Sequence, residues 1–324
     1  MAGTPATSGM VVCISANPAL DRGLRVRTLA IGETNRALSA EILPGGKAAH
    51  VAMAAHALGV QAIWIAFLGG AIGEECASEL GRMGIEVVPI RTRAPTRVNL
   101  EVIDDSGTVT EVLEPGGTPE PAEYEEMVQT CQKRLSEQWK HALVVISGSL
   151  PIGVPTAFYS LLIRCAQDAG SKVFLDTSGE ALSYNLAARP DFVKPNRREV
   201  ETLLGAQVRS FTDAQGAAAE LIARGAHSAA ITLGSEGLVW LESARSPAWF
   251  ARPPRLETGS TVGCGDTTLA GFAYAAQRGW HGEEAIRFAA ACGAANCSAR
   301  WSGRITFKDV EFLIPQIKVT RSPE

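Results

Sequence analysis

Short apolar runs and segments of helical spacing alternate along most of this chain. Apolar runs bounded by turn residues predict buried strands at 10–14, 61–68, 85–90, 142–146, 172–175, 192–194 and 229–233. Between them, apolar residues at helical spacing predict helices at 48–58, 74–83, 122–139, 156–169 and 285–299, and another that follows Asp266 and stops at Gly279. Strands that alternate with helices in this way are typical of an α/β fold.

Two stretches interrupt this alternation. Residues 24–43 alternate apolar and polar positions without a helical stripe, and residues 96–113 have a period-2 hairpin pattern around a turn at 104–107. We expect the two stretches to pair as a small sheet above a pocket.

The pattern predicts a single large α/β domain over residues 10–318, with lid strands inserted at about 22–43 and 92–114. The chain contains no internal repeat and no low-complexity linker. The proline-rich segments 115–121 and 247–254 are short enough to be predicted as loops.

The composition narrows the class of function. With 324 residues and 46% hydrophobic content, the chain can bury a large core. Its net charge of −4 and its lack of a basic run argue against a nucleic-acid partner. No apolar run approaches about 18 residues, so we expect no membrane-spanning helix. The function is therefore expected to lie in a pocket that binds a small molecule.

The cysteines and the opening residues indicate the compartment. The seven cysteines are odd in number and scattered, without a C-x-x-C pair for zinc or redox chemistry. Residues 1–9 contain neither a basic region nor an apolar core, so we expect no signal peptide and no anchor. Both features favour a reduced, cytoplasmic location.

Residues 260–271 combine a tight glycine turn, a carboxylate and the start of a helix. Gly263 and Gly265 let the backbone bend sharply, and the unpaired amide N–H groups of the helix start are suited to an anion such as phosphate. Asp266 lies in this cradle, where its charge would repel a phosphate. It is therefore either a helix cap or a catalytic group, and the segment alone leaves both interpretations open.

Two earlier turns also carry candidate groups. Asp21 follows the first predicted strand, at the sheet edge where α/β proteins bind ligands, and it either holds ligand hydroxyls or caps a turn. Residues 44–47, Pro-Gly-Gly-Lys, precede a helix and form either a second ligand site or a close helix–strand contact.

Eight motifs occur in the order found in one kinase family. They are Asn-Pro-Ala-Leu-Asp at 17–21, Pro-Gly-Gly-Lys at 44–47, Thr-Arg at 96–97, Ser-Gly-Ser-Leu-Pro at 147–151, Asp-Thr-Ser-Gly-Glu-Ala-Leu at 176–182, Lys-Pro-Asn-Arg-Arg-Glu at 194–199, Thr-Leu-Gly-Ser-Glu-Gly at 232–237 and Thr-Val-Gly-Cys-Gly-Asp at 261–266. Through them nearly the whole chain resembles the PfkB branch of the ribokinase-like sugar kinases. Within that branch it is most similar to the group of 1-phosphofructokinases, tagatose-6-phosphate kinases and minor 6-phosphofructokinases.

The resemblance implies a ribokinase-like three-layer α/β/α sandwich with a small β-sheet lid. It implies a kinase that uses ATP and Mg²⁺, with a monovalent cation such as K⁺ as a further expectation, and a homodimer formed through the lids. The acceptor would be a phosphorylated ketohexose, namely fructose 1-phosphate, fructose 6-phosphate or tagatose 6-phosphate.

The resemblance also favours catalysis over capping for Asp266. This residue would be the catalytic base, and the backbone amides of Gly263, Cys264 and Gly265 would form the anion hole. The chemistry agrees, because phosphoryl transfer needs positioning and charge neutralisation more than covalent help.

Two further groups of residues would bind the substrates. On the ATP side the resemblance places Lys194, Asn196, Thr232, Gly234, Gly237, Gly293 and Asn296, and it gives Asn196 and Glu199 an indirect role in holding Mg²⁺. On the acceptor side it places Asp21, Gly46, Lys47, His50, Arg36 and Arg97. The two arginines would bind the acceptor's phosphate, since a guanidinium suits a doubly charged group.

Two positions depart from the family's pattern. The second glycine turn usually reads Gly-Gly-Lys-Gly-x-Asn in the family, whereas this chain has Gly-Gly-Lys-Ala-Ala-His at 45–50. We expect His50 to replace an amide at the acceptor's hydroxyls, as a neutral imidazole favoured by the helix start, and not to be a new base. Cys264 stands where the family often has Ala, and we expect its thiol to have a packing role.

Other functions remain open. Ala48 and His50 favour a kinase of an unphosphorylated sugar or a nucleoside, although Arg36 and Arg97 argue against it. A non-catalytic sugar or nucleotide sensor would be expected to lose the base or the Asn-x-x-Glu pair, yet Asp266 and that pair are present. A dinucleotide-binding dehydrogenase is disfavoured, because no G-x-G-x-x-G follows the first strand.

Overall fold

The structure is a computed structural model that describes residues 9–256, 261–299 and 301–322. Its strands are β1 (Met10–Ser15), β2 (Ala19–Arg25), β3 (Ser39–Gly45), β4 (Gln61–Leu68), β5 (Glu86–Arg91), β6 (Arg97–Ile103), β7 (Val109–Leu113), β8 (Leu143–Ser147), β9 (Val173–Asp176), β10 (Phe192–Val193), β11 (Ser228–Thr232), β12 (Leu238–Leu241), β13 (Trp249–Arg252) and β14 (Lys318–Arg321). The expectations for residues 1–8 and for Ser260, at the start of the glycine turn, lie outside the described residues.

Helices separate most of these strands. They are α1 (Lys47–Ala57), α2 (Gly70–Arg82), α3 (Pro121–Glu137), α4 (Phe158–Asp168), α5 (Gly179–Asn185), α6 (Arg197–Leu204), α7 (Phe211–Ala223), α8 (Cys264–Gln277), α9 (Gly282–Ser298) and α10 (Phe307–Leu313). In the part of the chain that the structure describes, none of the helices has the length and apolar character needed to cross a membrane.

A large sheet forms the middle layer of the molecule. Its described strands follow the order β14-β13-β12-β11-β10-β9-β8-β1-β4-β5. Neighbouring strands from β11 to β5 are parallel, whereas β12, β13 and β14 add to the β11 edge in antiparallel pairs. Parallel sheets are buried on both faces, which explains why β1, β4 and β8 are nearly continuous apolar runs.

Helices cover both faces of this sheet. On one face α1, α8 and α9 pack around side chains such as Trp64 and Phe272. On the other face α3, α4 and α7 pack around side chains such as Ile65 and Tyr159. The layers form the α/β/α sandwich that the family resemblance implies.

The small predicted sheet is also present, with the strand order β3-β2-β6-β7. Strand β2 pairs antiparallel with β3 and parallel with β6, and β6 pairs antiparallel with β7. Side chains alternate across a strand, so Arg97, Asn99 and Glu101 of β6 project to one face of the sheet. This face lines a cavity.

Three local expectations were wrong. Residues 247–254 contain β13 instead of a loop, because their prolines lie outside the four residues that pair with β12 and β14. Residues 26–38, which were expected to belong to exposed strands, lie between β2 and β3. Asp21 lies within β2 and not in the turn after β1.

Candidate active site

The cavity has a volume of about 800 Å³ and opens between the small sheet and the carboxyl ends of β8 to β11. Its lining includes these predicted site residues: Asp21, Gly46, Lys47, His50, Arg97, Lys194, Asn196, Glu199, Thr232, Gly234, Gly237, Gly263, Cys264, Gly265, Asp266 and Gly293. Residues that are far apart in the sequence thus meet at the sheet edge where α/β proteins bind ligands.

Helix α8 begins at the predicted glycine turn. Its N-cap residue, Gly263, has a φ of 74°, in the left-handed region that glycine adopts without strain. A Cβ at this position would lie 2.8 Å from Ser302 Cβ, so a larger residue would also collide. The backbone from Gly263 to Asp266 lines the cavity, and the positive end of the helix dipole is therefore available to an anion.

Asp266 contacts a histidine in the first turn of α1. Its Oδ2 lies 2.9 Å from His50 Nδ1, and His50 Nε2 lies 2.9 Å from Asp21 Oδ2. All three side chains are almost fully buried. One chain of hydrogen bonds therefore runs from Asp21, which is predicted on the acceptor side, through His50 to the predicted base, Asp266.

The expectation of a neutral imidazole at His50 was wrong. Burial opposes the charged ring, but the hydrogen bonds and charges of Asp21 and Asp266 outweigh it and raise the pKa of His50 to about 10. The effect of the helix start is smaller than that of two carboxylates at hydrogen-bond distance. At neutral pH the ring is an imidazolium.

Asp21 has a second partner on the small sheet. Its Oδ1 accepts a hydrogen bond of 2.8 Å from Asn99 Nδ2 on β6. The carboxylate packs directly over Gly45, where a Cβ would lie only 2.0 Å from Asp21 Cγ. The first glycine of the motif Pro-Gly-Gly-Lys, Gly45, thus belongs to a close contact, whereas the second, Gly46, lines the cavity.

Two lysines share a buried carboxylate between the predicted acceptor and ATP residues. Lys47 Nζ lies 3.2 Å from Asp176 Oδ1, and Lys194 Nζ lies 3.2 Å from Asp176 Oδ2. Burial opposes ionisation of Asp176, but the charges of Lys194 and Lys47 outweigh it and lower the pKa of this carboxyl. Burial likewise opposes the charge on Lys47, but Asp176 and Glu199 outweigh it and raise the pKa of Lys47. Asp176 and Lys47 are therefore both charged at neutral pH.

Asn196 and Glu199 form a capping box at the start of α6. Asn196 Oδ1 accepts from Glu199 N at 2.9 Å, and Glu199 Oε2 accepts from Asn196 N at 2.8 Å. The other oxygen, Glu199 Oε1, lies 2.9 Å from Lys47 Nζ. Both residues line the cavity with their positions fixed by α6.

Asn296 lies behind the glycine turn. Its Nδ2 donates to Val262 O at 2.7 Å and to Cys264 Sγ at 3.4 Å, and its Oδ1 accepts from Gly303 N at 2.7 Å. A hydrogen bond with Cys297 and burial raise the pKa of the Cys264 thiol, which therefore stays protonated. Asn296 is not among the residues that line the cavity, so its predicted ATP-binding role stays a prediction. Its side chain holds the glycine turn in place.

The two predicted phosphate-binding arginines lie in different surroundings. Arg97 lines the cavity, and its guanidinium donates to Glu114 O at 2.8 Å and to Asn17 O at 3.2 Å. Burial lowers the pKa of Arg97, although Asp21 and Glu114 oppose this effect. Arg36 is exposed between β2 and β3 and is not among the lining residues. Its role stays a prediction.

Three acidic lining residues were missed as site residues. Asp176 ends β9, and the polar residues that follow each strand were the available signal for it. Glu101 and Glu111 face each other across β6 and β7, and period-2 alternation from Asn99 would have placed Glu101 on the same face. Burial and Asp21 raise the pKa of Glu101 to about 7. The small sheet therefore adds two carboxyl groups to the cavity.

Known proteins are similar to this chain in sequence and in fold. A 1-phosphofructokinase of Vibrio cholerae is 33% identical over 285 residues, which cover 88% of each chain. Phosphofructokinase-2 from Escherichia coli in complex with fructose-6-phosphate is 28% identical, with a TM-score of 0.84 over 95% of this chain and 98% of that one. The same enzyme in complex with potassium is 29% identical, with a TM-score of 0.85 over the same shares.

The sandwich, its small sheet and the helix-start turn beside a carboxylate define a phosphotransferase with an alcohol group as acceptor. Such a protein needs an anion site for the transferred group and a carboxylate for the hydroxyl, and here a helix start and a carboxylate line the same cavity. The chain belongs to the pfkB family of carbohydrate kinases, whose family model matches residues 10–304. The resemblance seen in the eight motifs is thereby confirmed.

Proposed function

We propose that the protein transfers the γ-phosphoryl group of ATP to a hydroxyl of a phosphorylated ketohexose: fructose 1-phosphate, fructose 6-phosphate or tagatose 6-phosphate. The observation that carries this proposal is the placement of Asp266 at the start of α8, in one cavity with Lys47, Lys194 and Arg97. The names of the Vibrio cholerae relative and of the ligand in the Escherichia coli enzyme support the same substrate class.

In the proposed reaction Asp266 accepts the proton of the acceptor hydroxyl. The hydroxyl oxygen forms a bond to the γ-phosphorus of ATP, the bond from that phosphorus to the β-phosphate oxygen breaks, and ADP leaves. The amides of Gly263, Cys264 and Gly265 stabilise the charge on the transferred group. Lys194 and Lys47 hold positive charge beside it, while Arg97 binds the acceptor's own phosphate. Thr232, Gly234, Gly237 and Gly293 contact the nucleotide.

The polar side chains of the cavity suit a Mg²⁺ ion whose ligands are mainly phosphate oxygens and water. Among the described residues there is no group of three or more His, Cys, Asp or Glu side chains that could hold a metal ion. Both oxygens of Glu199 already accept hydrogen bonds from the protein, and Mg²⁺ commonly keeps several waters. Asn196 and Glu199 therefore support the ion indirectly, and Mg²⁺ when bound neutralises phosphate charge. A K⁺ ion belongs to the same proposal, since potassium is present in one related structure.

The outer face of the small sheet supports a homodimer. A row across this face contains Ile42, Arg22, Leu100 and Val112. Ile42 and Val112 are 37% and 59% exposed, and exposed apolar patches commonly mark interfaces. In sedimentation, Val112→Asp should shift the protein towards monomers, whereas Phe312→Asp on α10 should not. Unchanged association of the Val112 variant would exclude this face.

A second candidate is a kinase of an unphosphorylated sugar. Glu101 and Glu111 both line the cavity and both have a raised pKa, mainly through burial and the charge of Asp21. Carboxyl groups at this face can form hydrogen bonds with sugar hydroxyl groups, and in their ionised form they repel a phosphate. They favour an acceptor with less negative charge than a ketohexose phosphate.

A panel of acceptors tests both candidates. ADP release from ATP and Mg²⁺ is measured with fructose 1-phosphate, fructose 6-phosphate, tagatose 6-phosphate, fructose and tagatose, and Asp266→Asn is the inactive control. The main proposal predicts the highest kcat/KM with one of the phosphates. A preference for a free sugar would favour the second candidate, and no acceptor-dependent ADP release from any of them would contradict both.

A further inference from the structure

Three structural elements meet at the ring of His50. The residue lies in the first turn of α1 and is 4% exposed, and its two nitrogens contact Asp21 on β2 and Asp266 on α8 at 2.9 Å each. The backbone of Gly303 packs behind it, where an added Cβ would lie 3.2 Å from His50 Cα. The ring is therefore almost fully buried at the wall of the cavity, and it joins the small sheet to the start of α8.

The charged groups around this ring come from several elements. Carboxyl groups face it from Asp21 on β2, Glu101 on β6, Glu111 on β7 and Asp266 on α8. Among the cations, Lys47 on α1 interacts with Asp266, and Arg97 on β6 interacts with Asp21. The pKa of His50 is about 10, so at neutral pH each ring nitrogen carries a proton and donates to one carboxylate.

We infer that His50 is a positioning residue: its two N–H groups hold the acceptor-side carboxylate of Asp21 and the base Asp266 in one fixed arrangement. This inference rests on the proposed function. An asparagine amide cannot take this role. It carries no charge, and it has a donor group on one side and an acceptor oxygen on the other, whereas both partners here are carboxylates that accept hydrogen bonds.

The arrangement explains why His50 is not itself the base. A doubly protonated ring has no lone pair for the acceptor's proton, which therefore goes to Asp266 as the new O–P bond forms. The imidazolium instead offsets the repulsion between two carboxylates that share one buried ring. Its hydrogen bond uses Oδ2 of Asp266 and leaves Oδ1 outside that bond.

Kinetic pH profiles of His50→Asn and His50→Gln test this role. Loss of a cation beside both carboxylates favours their protonated forms, so the acid limb of kcat should move to higher pH by about 0.5–1 unit. The KM for ATP should stay within about twofold of wild type, because the two hydrogen-bond partners of the ring, Asp21 and Asp266, are not among the predicted ATP-binding residues. His56→Asn, at the other end of α1, is the matched control and should leave the profile unchanged.

A second measurement does not depend on turnover. The ring Cε1–H signals of the five histidines are followed by NMR against pH, and the signal of His50 is the one lost in His50→Asn. It should stay in its charged form beyond about pH 9, and Asp266→Asn should lower its titration midpoint by at least about one unit. Titration of His50 near pH 6.5 would overturn the inference.

The outcomes separate this inference from the proposed function. Absence of turnover with every acceptor would contradict the proposed function, and the inference would fall with it. If turnover is normal but the acid limb in both variants stays in place while thermal stability falls, His50 only supports the fold and the inference is wrong. A moved acid limb in either folded variant, together with a charged His50, supports it.

Discussion

Lys47 Nζ lies 2.9 Å from Glu199 Oε1, although 152 positions separate the two residues in the sequence. Lys47 opens α1 beside the acceptor-side glycine turn, and Glu199 lies in the first turn of α6 beside the predicted ATP residues. Lys47 also contacts Asp176, which in turn contacts Lys194. The two halves of the site are thus electrostatically connected.

Asp176→Asn should destabilise the protein strongly. The carboxylate is 1% exposed and lies between two lysines, and removal of one partner leaves uncompensated buried charge. We expect a loss of about 3 kcal/mol in the free energy of unfolding, measured by urea denaturation. The exposed residue Asp168 provides the control, and Asp168→Asn should change stability by less than about 0.5 kcal/mol. Equal stability of the two variants would show that the lysine pair does not need Asp176.

Asp266→Asn should keep the fold and ATP binding but lower kcat by at least about 10²-fold, since a positioned base typically contributes that much. Thermal unfolding checks the fold, and steady-state kinetics with the preferred acceptor give kcat. Turnover close to wild type would remove Asp266 from the chemical step.

Arg97→Ala should raise the KM for a sugar phosphate by about tenfold or more and leave the KM for ATP nearly unchanged, because a guanidinium binds phosphate through charge-assisted hydrogen bonds. Arg93→Ala is the matched control, since Arg93 is exposed and lies outside the cavity lining. A raised KM for ATP would instead place Arg97 at the nucleotide.

Glu101→Gln should change how stability depends on pH. Burial and Asp21 raise the pKa of Glu101 from an ordinary value of 4.5 to about 7. The folded protein therefore binds this proton more tightly, and the associated stability is present below about pH 4.5 and is lost as pH rises through about 7. The glutamine variant avoids that loss.

From pH 5 to pH 8, Glu101→Gln should therefore gain about 1–2 kcal/mol relative to wild type in the free energy of unfolding. The exposed Glu125 supplies the control, and Glu125→Gln should follow the wild-type pH profile. If the Glu101 variant also follows that profile, the carboxyl group is not protonated in the folded cavity near neutral pH.

Local sequence signals were sufficient for the parallel strands of the central sheet and for the turn at α8. Apolar runs identified β1, β4 and β8, because a parallel strand is buried along its whole length. The same reasoning missed α7, whose buried face consists largely of alanines and gives a weak stripe. It also missed β13, which is a short edge-region strand of four residues between prolines.

The charge of His50 could not be predicted from its neighbours in the sequence. Its two partners lie 29 positions before it and 216 positions after it, and only the tertiary fold brings them to the ring. The local signal, a helix start, favoured the neutral form and was outweighed. The position of Asp176 at the end of β9 was a local signal, but its contacts with two lysines were not predictable, since these come from α1 and from the residue after β10.

The side chains that line the cavity come from two different sheets. Asp21, Arg97, Glu101 and Glu111 project from the small sheet, whereas Asp176, Lys194 and Asp266 belong to the large sheet and its helices. Under the proposed function, a substitution on β6 or β7 that keeps the hydrogen bond from Asn99 to Asp21 would alter the face that meets the acceptor and leave the chain of hydrogen bonds to Asp266 in place.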